Sequence, residues 1–243
     1  LRDIGSIYSG LKSKVSIDFV QGNSLYYSYL DIFKNTIIDF EPKNYVKISE
    51  YQNVVRYGDI ILTTSSETAE ECATSSVIMF RSAKKIYLNS FCFGIRLNDL
   101  SQFDLFFLAY FLRSSSFRRK ARILAQGISR FNIQPSKILN TIFHFGISKQ
   151  EQKAIGSLAK SFDQAISLLQ CKLEKLKNLK NTLLEKMFAD EKHPFPKIRF
   201  KEFTNDWEQR RIEDLVNLVK KSSLLITQIK NKGSYPVYSA GTF

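Results

Sequence analysis

Between Ser148 and Phe188 runs the feature that most restricts what this chain can become. Over 41 residues without a proline, Ile155, Leu158, Phe162, Ile166, Leu169, Leu173, Leu176, Leu179, Leu183 and Met187 recur at a mean spacing of about 3.6 residues. That spacing predicts one long helix with a single apolar stripe. The other faces carry Lys153, Lys160, Lys172, Glu174, Lys175, Lys177, Lys180, Glu185 and Lys186, so only the stripe avoids water. At the start, SKQE (Ser148 to Glu151) fits a capping box, in which the serine hydroxyl accepts a backbone N–H and the glutamate reaches back to the cap. At 1.5 Å per residue such a helix is roughly 60 Å long, about twice the diameter of a small domain. The residues before it cannot easily cover that length. The stripe therefore calls for a second helix, from another chain or from a part of the parent sequence not contained in these 243 residues.

The residues before the helix read as a compact unit of strands and helices. VVRYGDIILTT (54–64) turns at Gly58 and Asp59 into a β-rich run. NSFCFGIRL (89–97) alternates Phe91, Phe93, Ile95 and Leu97 with smaller or polar neighbours, which predicts a half-buried strand. Ser101 is expected to cap a helix carrying Leu105, Leu108 and Leu112. The serines at 114–116 interrupt it, and SFRRKARILAQG resumes with Gly127 as its C-terminal stop. Short connections favour antiparallel pairing. The expected class is α+β: antiparallel strands with a few helices, followed by the long coiled-coil-forming helix.

Charge narrows the function. With 36 Lys and Arg against 23 Asp and Glu, the net charge is +13, which favours polyanions such as nucleic acid or an anionic membrane surface. No run approaches the 18 or so apolar residues of a membrane span, and LRDIGSIYSG lacks the pattern of a signal peptide, so a cytoplasmic protein is expected. Cys72, Cys92 and Cys171 have no metal-ligand spacing, and no metal site is expected. Nor does the chain carry GxGxxG, GxxxxGK[ST] or an Asn-Pro-Pro-aromatic methyltransferase motif, and His144 and His193 are far apart; no catalytic residue is expected.

Four groups of residues suit DNA. Arg118 and Arg122 in FRRKAR share a helical face, with Arg119 beside them, as phosphate contacts require. AQGISRFNI offers a glycine-hinged loop with Gln126, Ser129, Arg130 and Asn132, side chains that bond guanine or adenine edges. Ser65 and Ser66 follow a strand, and Lys12 and Lys14 stand in SGLKSK; both pairs suit contacts to the DNA backbone.

Near the end, FTNDWEQRRIEDLV (203–216) reads as the opening of another folded unit. With residue 212 set under residue 1, LRDIG meets IEDLV, Asp3 falls on Asp214, Gly22 on Gly233, Tyr27 on Tyr238 and Ser28 on Ser239. Together with Pro194, Pro196 and Pro236, this predicts a tandem repeat of about 211 residues, begun a second time and cut short.

Taken in order, GDIILTTSSE (58–67), AQGISRFNI (125–133), ISKQEQKAIGSLAKSFDQAI (147–166), LEKLKNLKNTLLEKMF (173–188) and PKIRFKEFTNDWE (196–208) resemble the specificity (S) subunit of type I restriction-modification enzymes, at half length. Gly146 stands where that family commonly has a proline. The resemblance implies a DNA-binding target-recognition domain at 1–146, a long spacer helix at 147–190, a linker at 191–206 and the start of a second recognition domain at 207–243. Each such domain reads one half of a split DNA sequence, and the long helices pair antiparallel. The implied partners are double-stranded DNA, methyltransferase (modification) subunits, a restriction subunit and, for a half-length chain, a second copy of itself. S-adenosylmethionine and ATP with Mg belong to the partner subunits, with no cofactor in this chain. Two other readings stand beside it: an assembly scaffold whose helix only recruits partners, and a membrane-surface protein, which the lack of Trp flanking the stripe disfavours.

Overall fold

The computed structural model of the chain describes residues 5–146, 148–190 and 192–216. The chain divides into two compact units, Leu1–Cys171 and Lys172–Phe243. The first holds strands β1 (Gly5–Ser9), β2 (Ser24–Tyr27), β3 (Ile37–Ile38), β4 (Asn44–Val46), β5 (Ile60–Thr63), β6 (Ser65–Ser66), β7 (Ser75–Ile78), β8 (Ile86–Leu88), β9 (Cys92–Leu97) and β10 (Phe131–Asn132). Its helices are α1 (Ser16–Val20), α2 (Tyr29–Lys34), α3 (Leu105–Phe111), α4 (Ser115–Leu124), α5 (Pro135–Leu139) and the first part of α6 (Lys149–Lys186).

A five-stranded sheet in the order β1-β9-β5-β7-β3 forms the centre, with a three-stranded sheet β4-β2-β8 and the short pair β10-β6. Pairing is antiparallel except between β3 and β7 and between β2 and β8. The fold is α+β, as the sequence pattern predicts. Because successive side chains of a strand point to opposite faces, β5 sorts its apolar residues between two cores. Ile60 and Leu62 meet Phe93, Ile95, Leu108, Leu112 and Phe117 on the helix side. Ile61 meets Tyr27, Ile32, Ile78 and Leu88 on the other.

That sandwich corrects the reading of 89–97 as a half-buried strand. Cys92, Phe93, Gly94 and Ile95 are all buried, since helices cover one face of β9 and the small sheet the other, while Phe91 lies outside the strand and is exposed. Gly94 is pressed against the Tyr8 ring, where a Cβ would collide. Beneath β1, the buried Asp59 accepts from the Tyr8 hydroxyl at 2.7 Å and from Arg96 Nε and Nη2 at 3.0 and 2.7 Å. Burial raises the Tyr8 pKa well above its ordinary value, with the Asp59 charge adding to it, so the phenol stays a donor.

Helix starts also differ from expectation. Ser101 lies in a short 3-10 turn, and α3 is capped instead by Asp104, whose carboxylate accepts from Phe107 N at 2.9 Å. Ser114 caps α4, but the helix ends at Leu124, and Gly127, with φ +147, serves the loop beyond it. At α6 the Ser148 hydroxyl accepts from Glu151 N at 3.4 Å, the serine half of the expected capping box.

The first turns of α6 dock on α3 through polar and small residues. Gln152 is 2% exposed; its side chain accepts from Asp104 N at 2.9 Å and donates to Gly146 O at 2.7 Å. Gly156 touches the start of α3, Lys160 lies over the Phe106 ring at 4.2 Å, and Tyr110 donates to Asp163 at 2.9 Å. Phe143 and Phe145, just before the helix, pack edge-on against Phe107 and Phe111. At 3.6 residues per turn this docking face stands about 110° round the helix from Ile155, Leu158, Phe162 and Ile166. The apolar stripe is left open: every member from Ile155 to Leu179 is exposed, Leu169 by 65%.

In the second unit the chain after α6 turns back along the helix end. Ile198 N donates to Lys186 O at 2.9 Å, and Trp207 packs edge-on against Phe188 with ring centroids 6.2 Å apart. An apolar groove of about 620 Å³ results, lined by Leu176, Leu183, Met187, Phe200, Phe203 and Trp207. A short helix α7 (Ile212–Leu215) follows. The proposed repeat rests largely on Asp3, Gly233, Pro236, Tyr238 and Ser239, which lie outside the described residues, as do residues 217–243 generally.

Candidate nucleic-acid interface

Two of the four sequence-predicted groups converge. β10 pairs with β6 so that Phe131 faces Ser66 and Asn132 faces Ser65. Residues 126–132 close into a loop: Gln126 N donates to Asn132 O at 2.9 Å, and Asn132 N returns to Gln126 O at 2.8 Å. Gly127 makes the turn possible, because its positive φ suits glycine and a Cβ there would strike the Arg130 carbonyl. The side chains of Gln126, Ser129, Arg130 and Asn132 are exposed at the loop.

Beside the loop opens a recess of about 490 Å³, lined among others by Tyr29, Phe33, Ser66, Glu71, Ser129 and Arg130. Tyr29 and Phe33 are stacked, their centroids 5.7 Å apart. The Tyr29 hydroxyl donates to Ser65 O at 3.1 Å, and burial raises its pKa above the ordinary phenol value, opposed by a hydrogen bond with Ser66. Ser66 and Ser65 are buried, at 6% and 3% exposure; the Ser66 hydroxyl donates to Glu71 at 2.8 Å. Both serines thus build the wall of the recess. Arg130 lies over the Phe91 ring at 5.1 Å, which steadies its guanidinium at the rim. Chemically the recess combines an aromatic stack, a carboxylate and a guanidinium: surfaces for a base plane, a cytosine amino group and a guanine edge. Tyr29, Phe33 and Glu71 carry no local sequence signal for this site. TTSSE marks the serines, but only the fold brings α2 to them.

The other two groups are placed differently. Arg118, half-buried, donates to the carbonyls of Glu70, Cys72 and Ala73, and burial lowers its pKa from the ordinary guanidinium value. Arg122 pairs with the Glu70 carboxylate at 3.0 Å. The face these two share is turned to the 70–73 loop, so Arg118 clamps that loop and only Arg119 of the three is exposed without an ion pair among the described residues. Lys14 pairs with Glu50 at 3.3 Å, whereas the Lys12 side chain is exposed and its backbone is held by Gln52.

No family model and no curated protein matches the sequence. Solved structures do. A chain from a structure of complex assembly and conformational transition of the type I R-M system gives a TM-score of 0.51 and 20% identity, over 76% of this chain and 43% of that one. The HsdS subunit from Thermoanaerobacter tengcongensis gives 0.50 and 17%, over 76% and 42%. This chain has the fold of a type I restriction-modification S subunit. The S subunit from M. genitalium gives 0.49 and 18%, over 77% and 44%. The chain spans less than half the length of each of these solved S-type chains. Within the S-subunit fold of this chain, no helix among the described residues is long and apolar enough to cross a membrane.

Proposed function

We propose that the chain is a non-catalytic DNA-recognition subunit of a type I restriction-modification complex. Its first unit reads one half of a bipartite duplex site at the 126–132 loop and the adjoining recess, and the stripe of α6 is covered by the helix of a second copy. Methyl transfer and cleavage belong, on this reading, to modification and restriction subunits that bring S-adenosylmethionine and ATP with Mg, in the cytoplasm. The observation that carries it is the S-subunit fold. The exposed polar loop beside an aromatic recess and the open apolar stripe are what such a role requires.

The test is duplex binding by the full chain with the modification subunit present. Affinity should fall by orders of magnitude between about 50 and 200 mM salt, because phosphate contacts release counterions. No duplex binding at the lower salt refutes the reading and leaves the scaffold, for which the exposed stripe alone would suffice.

A further inference from the structure

A second concave site, outside the recess, gathers cations with almost nothing to neutralise them. It is a cleft of about 330 Å³ whose polar lining includes Arg56, Tyr57, Arg81, Ser82, Lys84 and Lys85. An isolated antiparallel bridge joins Val55 to Ile86, with Val55 N donating to Ile86 O at 2.8 Å. Arg56 and Lys85 are the chain neighbours of the two bridged residues, so the bridge brings both to the lining of the cleft. Among the described residues neither side chain has an ion-pair partner. The carboxylate nearest to Arg56 along the chain, Asp59, is already matched by Arg96 at 2.7 Å. Arg81 lies 3.8 Å over the Tyr57 ring, which holds the guanidinium without cancelling its charge. Among the described residues Lys84 alone of these cations has a carboxylate, Glu41 at 3.2 Å, and that pair is solvent-exposed and weak.

Of the other arginines described in this unit, Arg119 and Arg130 are exposed without an ion pair, and the rest are engaged. Arg96 and Arg122 have carboxylates, and Arg113 and Arg118 donate to backbone carbonyls. Like charges gathered in one cleft and left without carboxylates suit an anion.

We propose that this cleft grips the phosphodiester backbone of the duplex, with Arg56, Arg81 and Lys85 as sequence-independent phosphate contacts. The assignment rests on the DNA-recognition reading above and gives the phosphate role, expected from sequence on α4, to the 56 and 81–85 segments. A strand is favoured over a single phosphate because three uncompensated cations on two chain segments can meet successive phosphates. Tyr27, in the wall of the cleft, is two residues from Tyr29 of the recess, at most about 7.6 Å between Cα atoms.

The experiment compares the full chain with its Arg56→Ala/Arg81→Ala/Lys85→Ala variant, each with the modification subunit present, in duplex binding across a chloride series, on two unrelated duplex sequences. Losing three contacts should lower the slope of log affinity against log salt by about 2.7, and weaken both duplexes alike. The Arg56→Lys/Arg81→Lys variant should keep the slope, since it keeps the charges. If the parent chain binds duplex and the triple variant has the same slope, the cleft assignment falls while DNA recognition stands. If the parent binds no duplex, both fall together. Inorganic phosphate at matched ionic strength forms the second arm: displacing duplex beyond the effect of chloride would make this a free-phosphate site and overturn the assignment.

Discussion

Replacing Gly156 by alanine sets two well-defined effects against each other. In an open helix the change gains about 1 kcal/mol, since glycine is the poorest helix former after proline. Here the added Cβ would sit 2.5 Å from Phe107 N, 2.8 Å from Asp104 Oδ1 and 3.0 Å from Phe106 C. Two of those atoms are backbone and cannot swing aside, so α3 and α6 must move apart. Overpacking of this kind costs about 1–3 kcal/mol. Displacing Asp104 also weakens its 2.9 Å cap on Phe107 N, and a lost cap costs about 1 kcal/mol. The net expectation is a loss of about 1–3 kcal/mol, against the sign of helix propensity. In urea, with a slope of about 2 kcal/mol per molar, a loss of 2 kcal/mol lowers the midpoint by about 1 M. Ser157→Ala, one residue on and exposed, is the control and should gain about 0.5 kcal/mol. A Gly156→Ala midpoint that rises with the control would refute the close approach of the two helices.

Other outcomes follow from the same geometry. Asp59→Asn leaves the half-buried Arg96 without its counter-charge and should cost about 3–5 kcal/mol; urea unfolding that shows less than about 1 would contradict the buried network. Leu169→Lys with Leu173→Glu alters only exposed stripe positions, so the fold of the single chain should survive, with an unchanged far-ultraviolet circular dichroism spectrum. Light scattering should nonetheless show a dimer for the parent and a monomer for the variant, and a monomeric parent rejects self-pairing. Deleting residues 170–176 shortens the helix by about 10 Å, near three base pairs at 3.4 Å each. Methylation mapping in the reconstituted complex should find the spacer shortened to match; an unchanged spacer removes the helix as a ruler.

Some of this architecture was plain in the residues and some was not, for physical reasons. A ten-member stripe fixes a helix because nothing but a 3.6-residue period brings those side chains to one side. Gly58 before β5, with φ +83, likewise marks its own turn. Hidden were the contacts whose chemistry has no period. The face of α6 that docks on α3 is Gln152, Gly156, Lys160 and Asp163, so the hydrophobic pattern points to the side that stays open. Arg118 and Arg122 share a helical face as expected, but i,i+4 spacing cannot say whether the face meets solvent or the carbonyls of the 70–73 loop. At the recess, the serines and the glycine-hinged loop were visible, whereas the Tyr29–Phe33 stack required the tertiary fold. The cationic cleft had a local signal, RSAKK at 81–85, but its pairing with Arg56 depends on a single bridge.

Amide hydrogen exchange of the full chain with and without duplex DNA, in the presence of the modification subunit, reaches the central claim most directly. Duplex should slow exchange across residues 126–132 beside the recess while the β5 and β9 core, already closed to solvent, stays as it was. Unchanged exchange at 126–132, with protection appearing on some other surface of the first unit, would mean that DNA is read elsewhere.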